Sequence, residues 1–426
     1  MKEAHVPGRA ASDAMRVREE AALVLRERFE ARFGNASCEA RAFEPFVLAS
    51  APGRVELAGN HTDHQGGRTI AAAIEKRAWA LARPNGTDEI RVSMEGFGEA
   101  RFSTTDLEAR ERERGTSRAL VRGMAAAFVR SGCALSGFDM VTRSAVPVGS
   151  GVSSSAAFEV LLGTAIRALF DPAAETEPPD LTAIALEGVW AERTYFGKPC
   201  GAQDQLSSAY GGIVALDFSD AVAHVEPIAF DADACAYSIC LIDSRCDHSA
   251  YTDEYAAVPA DMFDVARYFD CERLEDVPYD LFLSRLPEIR AQLKDRKVLR
   301  ALHYFEETRR ASEQVQALKK GDFEAFLAYA RLSGASSAQF LQNVSPHADG
   351  SQTRQPAMVI LALCAHLLGT RGAWRIHGGG FGGSVLAFVP REEAASFAAS
   401  MDRLLGYEAC SLVSISPRGA WAERLA

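Results

Sequence analysis

Apolar and polar positions along this chain fall into blocks whose period changes, and the changes outline the elements. Residues 13 to 34 repeat apolar positions at helical spacing among many charges, which predicts an amphipathic helix ending near Gly34. From about 46 to 103 the pattern predicts a series of short alternating strands. Residues 111 to 132 (ERERGTSRALVRGMAAAFVRSG) return to the helical period, and 138 to 149 (FDMVTRSAVPVG) predict another strand. The runs AAFEVLLGTAIRALF, 156 to 170, and LTAIALEGVWAERTYFG, 181 to 197, predict helices. Between 219 and 234 (SDAVAHVEPIAFDADA) the helical period is lost while Asp and Pro enter, which suits a domain joint or a long hairpin. Residues 294 to 333 carry two helical patterns parted at Gly321 and Asp322. No internal repeat and no long low-complexity tract interrupts the series. The fold class expected is α+β.

Chemistry is suggested where the pattern breaks. In PVGSGVSSSAAFE, residues 147 to 159, Gly149 and Gly151 let the backbone turn where a Cβ would clash. Ser153, Ser154 and Ser155 supply hydroxyls, and from Ala156 a helix follows whose first amides point at the loop, an arrangement that suits an anion. The lysine of a Walker A loop is missing and no G-x-G-x-x-G precedes it; taken alone, the segment also suits a capped buried helix. The apolar lead-in FVLASAPGRVEL runs into a turn of Asn60, His61, Thr62, Asp63 and His64, which suits substrate contact, a solvated turn or a metal. In RIHGGGFGGSVLAFV, residues 375 to 389, five glycines in six positions suit a tight turn between strands that approaches a ligand closely, or a plain hairpin.

Composition narrows the class. At 426 residues the chain exceeds the size at which a single core stops growing, so two domains are expected; 48% apolar and 24% charged residues is ordinary globular usage. A formal net charge of -11 argues against nucleic acid or an anionic membrane as the main partner. The nine cysteines are scattered and odd in number, with no C-x-x-C pair, which points to a reduced compartment. No run reaches the roughly 18 to 20 apolar residues that span a bilayer, and the N-terminal stretch lacks the apolar core of a signal peptide. A cytoplasmic location is expected.

In chain order, the three segments resemble the motifs of the GHMP small-molecule kinases, and GRVELAGNHTDHQGG resembles the signature of their galactokinase branch. AERTYFGKPCGAQDQLSSAYGG, residues 191 to 212, is similar to the stretch in which that branch places its catalytic aspartate. The resemblance spans most of residues 44 to 390. It implies a two-lobed fold of mixed sheets packed with helices, with an N-terminal kinase domain at 1–225 and a C-terminal one at 226–426. The activity implied is ATP-dependent phosphorylation of galactose at O1 by a monomer, with Mg2+ as cofactor and ATP as co-substrate.

Residue by residue, the resemblance implies Asp204 as the base with Arg54 beside it, a guanidinium that keeps the carboxylate ionised and stabilises charge on the phosphoryl group. Gly149, Ser150, Gly151, Ser153, Ser154, Ser155, Ala156, Gly379 and Gly380 are implied to bind ATP, and Ser155 and Glu192 to hold the metal, which wants hard oxygen ligands. Asn60, His61, Asp63, Gly201 and Tyr255 are implied to bind the sugar. Tyr255 is placed by DHSAYTDEY, similar to the family's H-S-x-x-x-x-E-Y.

The chain also departs from the pattern. Galactokinases usually carry Glu-His-Thr-Asp-Tyr where Asn60, His61, Thr62, Asp63 and His64 stand, so a carboxylate is missing at a sugar-contacting position. The arginines that often follow the family's E-Y are replaced by AAVPADMFD, and RLSGASSAQFLQNV, 331 to 344, is only loosely similar to its counterpart. Asn60 and His64 favour a sister kinase for N-acetylgalactosamine or arabinose. A non-catalytic galactose and ATP sensor is the other alternative, against which the serine run, Arg54, Asp204 and Glu192 all count.

Overall fold

The computed structural model describes residues 9–34, 45–149, 151–231, 235–246, 251–345 and 354–425. Ser150 and residues 247–250 of the segment leading to Tyr255 therefore lie outside the described residues.

The first lobe is built on an eight-stranded sheet. After helix α1 (Arg9–Phe33) come two long antiparallel strands, β1 (Phe46–Ala58) and β2 (Arg68–Pro84), then β3 (Glu89–Met94), β4 (Gly98–Ser103), helix α2 (Ser117–Arg130) and β5 (Phe138–Ser144). The short alternating strands expected from 46 are thus 13 and 17 residues long at the start. Alternation fails because both faces are covered, which makes such strands nearly continuous in apolar residues. Ala49, Ala51, Ala78, Ala80 and Ala82 face a core shared with α2 and the helices α3 (Ser154–Phe170), α4 (Leu181–Ala191) and α5 (Gln203–Tyr210). Leu48, Trp79 and Leu81 face Leu25 and Phe29 of α1 on the other side.

The segment with open alternatives near 219–234 is in its first part a hairpin: β6 (Ile213–Asp217) pairs with β2 and with β7 (His224–Ile228). A division at 225/226 falls inside β7. The second lobe begins at β8 (Tyr237–Asp243) and continues through α6 (Thr252–Tyr268), α7 (Tyr279–Ser284) and α8 (Leu286–Leu293). The long α9 (Asp295–Lys320) and α10 (Phe323–Ser336) are parted as expected, Gly321 taking φ 70° and the Asp322 carboxylate accepting from the Ala325 amide at 3.0 Å. There follow α11 (Pro356–Leu368), β9 (Ala373–Ile376), β10 (Ser384–Pro390), α12 (Ala394–Leu405) and β11 (Cys410–Val413), and the four strands form an antiparallel sheet in the order β11-β8-β10-β9. The last strand, β12 (Trp421–Leu425), returns to the first sheet beside β1, with Phe46 opposite Leu425 and Ser50 opposite Trp421. Among the described residues no helix is long and apolar enough to cross a membrane, and eight cysteines are free thiols.

Candidate active site

The polar turn follows directly from β1, and bulges in the strand aim its side chains. The β1–β2 register shifts between Pro52 and Arg54 and again between Glu56 and Ala58; extra residues at such points bend a strand and redirect what it carries. Arg54, nearly buried, directs Nε to Asp204 Oδ1 at 2.7 Å and Nη1 to the Gly151 carbonyl at 2.5 Å. Beyond the strand, Gly59 takes φ 85°, and a Cβ there would lie 2.2 Å from the Arg68 carbonyl, so the chain turns at that point only with glycine. Thr62 Oγ1 closes the turn by donating to the Gly59 and Arg68 carbonyls at 2.9 and 2.8 Å. Helix α9 supports it from below, with Glu307 accepting from the Gly59 amide and His303 Nε2 lying 2.9 Å from the Asn60 carbonyl.

On this turn Asp63 faces Gly201 so closely that a Cβ on Gly201 would stand 1.7 Å from Asp63 Oδ2. His61 Nε2 meets the Gly379 carbonyl at 2.9 Å, and Tyr255 donates its hydroxyl to the Gly380 carbonyl at 3.0 Å. Four of the residues implied for the sugar, His61, Asp63, Gly201 and Tyr255, are therefore gathered with the glycine turn between β9 and β10. Asn60 differs. It is 0% exposed, its Nδ2 donates to Glu56 Oε1 at 3.0 Å and to the Gly378 carbonyl, and its Oδ1 accepts from Asn343 at 2.8 Å and from Ser337. In this geometry its amide ties the turn to the second lobe and presents no open atom to the cleft.

The serine loop delivers hydroxyls to carboxylates. Gly149 and Gly151 take φ 77° and 79°, Ser153 takes φ 57°, and α3 starts at Ser154 with no side chain capping its first amides. Ser153 donates to Asp204 Oδ2 instead, and Ser155 Oγ donates to Glu192 Oε1 at 3.0 Å. Glu192, only 2% exposed, heads a π turn, Glu192–Phe196, that continues α4, a distortion common at functional sites. Its Oε2 accepts from Gln205 at 2.9 Å, and the same Gln205 nitrogen reaches Glu159 at 2.9 Å. Gly379 and Gly380 stand in the glycine turn and Gly151 packs against His377 of that turn, a Cβ on Gly151 coming within 3.2 Å of the imidazole. The serine loop, the turn after β1 and the glycine turn thus converge.

Charges in this space move proton affinities apart. Burial pushes the Asp204 carboxyl up, but the charge and hydrogen bond of Arg54 and the hydroxyl of Ser153 outweigh it and hold Asp204 at about 2. Burial, with the negative charges of Asp204 and Glu56, raises Asp63 to about 6. Burial first and then Glu192 raise Glu159 well above the carboxylate range. His64 is lowered to about 3, by burial and then by His61 and His303, and both its ring nitrogens lack a protein partner.

Sequence reasoning missed the second ring of this site. Glu56 accepts from Arg375 at 2.7 Å and Gln203 at 3.2 Å, and its amide donates to His377 Nε2 at 3.0 Å. The available signal was charge inside strands that are mostly apolar, Arg54 and Glu56 in GRVELAG and Arg375 in AWRIHGG. His303 and Glu307 are four apart on α9 and so share one face, but nothing local shows which partner that face meets. Among the described residues no three His, Cys, Asp or Glu side chains gather to hold a metal alone. One buried carboxylate beside one hydroxyl, Glu192 and Ser155, is nonetheless a hard-oxygen pair of the kind magnesium takes together with waters and phosphate oxygens.

Known proteins are similar to this chain in sequence and in fold. The family model of the galactokinase galactose-binding signature matches residues 27–84, and that of the GHMP kinases N terminal domain matches residues 119–212. The galactokinase of Actinobacillus pleuropneumoniae is 30% identical over 358 residues, covering 80% of this chain and 85% of that protein. The galactokinase of Glaesserella parasuis is 30% identical over 371 residues, covering 86% and 88%. In fold, the chain matches the crystal structure of Lactococcus lactis galactokinase complexed with galactose with a TM-score of 0.76 at 21% identity, over 94% of this chain and 98% of that one.

Proposed function

The chain belongs to the galactokinase family of the GHMP kinases, and from that premise we propose that it transfers the γ-phosphoryl group of ATP to O1 of galactose with Asp204 as the base. The observation that carries the reading is Asp204 itself, held between Arg54 and Ser153, with Asp63 and Gly201 on the sugar side and Ser155 and Glu192 on the phosphate side. Asp204 takes the O1 proton as the O1–phosphorus bond forms and the bond to the ADP oxygen breaks. A carboxylate near 2 is a weak base, so its contribution is position. Arg54 steadies Asp204 and offsets charge on the transferred group. Asp63 accepts from two neighbouring sugar hydroxyls, with the Gly201 amide, His61 and the Tyr255 hydroxyl completing the pocket.

Gly149, Ser150, Gly151, Ser153, Ser154, Ser155 and Ala156 cradle the triphosphate, and Gly379 and Gly380 close the nucleotide side. Glu192 and Ser155 are the residues that would hold magnesium, whose charge would neutralise the phosphate oxygens when bound. A cytoplasmic monomer of two kinase lobes completes the reading. One observation favours a pocket re-tuned for another sugar, such as N-acetylgalactosamine or arabinose: the two buried, unpartnered ring nitrogens of His64 in the proposed sugar turn. A coupled ADP-release assay over galactose, N-acetylgalactosamine, arabinose and glucose decides, with galactose expected to give the highest kcat/KM. Any of the others ahead of it overturns the substrate assignment.

A further inference from the structure

Lys198 lies on the short connection between the π turn of Glu192 and α5, close to both halves of the site. The connection is pinned: the amides of Gly197 and Lys198 donate to the Glu192 carbonyl at 2.8 and 3.2 Å, and Arg193 Nε donates to the Cys200 carbonyl at 2.8 Å. Lys198 Nζ stands 3.4 Å from Glu192 Oε1, the oxygen that also accepts from Ser155. The pair is asymmetric, since the Glu192 side chain is 2% exposed and that of Lys198 is 54% exposed. The ammonium also acts electrostatically on Asp204 and on the Tyr255 hydroxyl, lowering the proton affinity of both.

The distribution of cations gives this placement its meaning. The serine loop, residues 147 to 159, contains no lysine or arginine. Arg54 is already directed at Asp204 and the Gly151 carbonyl. A triphosphate seated on the loop would meet Glu192 and Asp204 as well as its own negative charge, and the phosphoryl group in transfer spreads charge over three oxygens. A flexible lysine with a half-exposed stem can change partners where a buried guanidinium fork cannot.

Resting on the kinase reading above, we propose that Lys198 is a further catalytic residue, whose ammonium pairs with Glu192 in the ligand-free protein and moves to the γ-phosphate oxygens when ATP binds. There it stabilises the phosphoryl group in transfer and leaves Glu192 to face the cation that accompanies the nucleotide.

The test compares the parent, Lys198→Met and Lys198→Arg in two measurements on the full chain. Equilibrium binding of ATP and of ADP, each with magnesium, is followed by titration calorimetry. Losing a contact to the γ-phosphate is expected to weaken ATP binding by about 10-fold in the methionine variant and to leave ADP within about twofold, with arginine keeping most of the preference. Turnover of the parent's best sugar is expected to fall by about 10- to 100-fold in kcat with the sugar KM little changed. Equal weakening of ATP and ADP, unaltered affinity for both, or a kcat within about threefold of the parent overturns the proposal. Should the methionine variant not fold, Lys198→Gln carries the same measurements. Because the binding arm needs no sugar, it decides on Lys198 even if the sugar assignment fails.

Discussion

Asp204 and Asp63 are carboxylates of one pocket whose surroundings drive them apart, and opposite environments of this kind commonly mark different roles. Asp204→Asn keeps the size and loses the acceptor of the proton, so kcat is expected to fall by about 100-fold or more while ATP affinity stays within about twofold, measured by ADP release and calorimetry. Asp63, near 6, changes charge just below neutrality. As the pH falls from 7 to 5 it takes up a proton and ceases to be an ionised acceptor, so the sugar KM is expected to rise, while Asp204 stays ionised throughout. The same shift acts on stability with a definite sign. A carboxyl whose folded value lies above its ordinary 3.8 destabilises the fold where it is ionised, fully above about pH 6 and not at all below about pH 4. Asp63→Asn is therefore expected to melt higher than the parent at pH 7.5, with the gap closing toward pH 4; a melting difference independent of pH would contradict this. Asp63 was legible as part of a polar break between apolar runs, whereas Asp204 was reached only through the resemblance of residues 191–212. The setting of Asn60 was not, since four of its partners come from Gly378, Asn343, Ser337 and His303, far away in sequence.

Elements set how tightly the proposed sugar side is built. The connection before α5 passes so near the turn after β1 that Gly201→Ala would drive a methyl group onto Asp63 Oδ2. The sugar KM is expected to rise at least about 10-fold with ATP affinity nearly unchanged, because a displacement of about 1 Å in a positioning group is enough for a large kinetic loss. Equal sugar KM values in parent and variant would place the sugar elsewhere. Helices were legible wherever they carried their own end signals: Gly321 and Asp322 both end α9 and start α10 by local chemistry. The lengths of β1 and β2 were not, because a strand buried on both faces loses the period of two by which strands are recognised.

At the scale of the molecule, one buried ion pair joins the two sheets. Glu56 of β1 and Arg375 of β9 meet at 2.7 Å, with side chains 6% and 0% exposed. Arg375→Met leaves a buried carboxylate without its main counter-charge, and breaking such a pair costs about 3–5 kcal/mol. A drop in unfolding free energy of that size in urea titration is expected, together with a higher sugar KM, since Glu56 also receives Asn60 of the sugar turn and Gln203 beside Asp204. A purely local loss, with the sugar KM unmoved, would deny the link between the lobes and the pocket. The joining of the lobes was illegible for a general reason: pairings between distant strands leave no period in either partner.

The return of β12 to the edge of β1 fixes an order of events during synthesis. Residues 46–50 leave the ribosome early, while the strand that covers their edge is translated only after the whole second lobe. At about 5–20 residues per second the uncovered edge waits for tens of seconds. Through that interval the nascent chain exposes an unpaired strand, the kind of surface on which chains from neighbouring ribosomes of one message adhere. Completion of the first lobe is thus deferred until residues 421–425 have emerged, and β12 acts as the latch that ends a period of vulnerability.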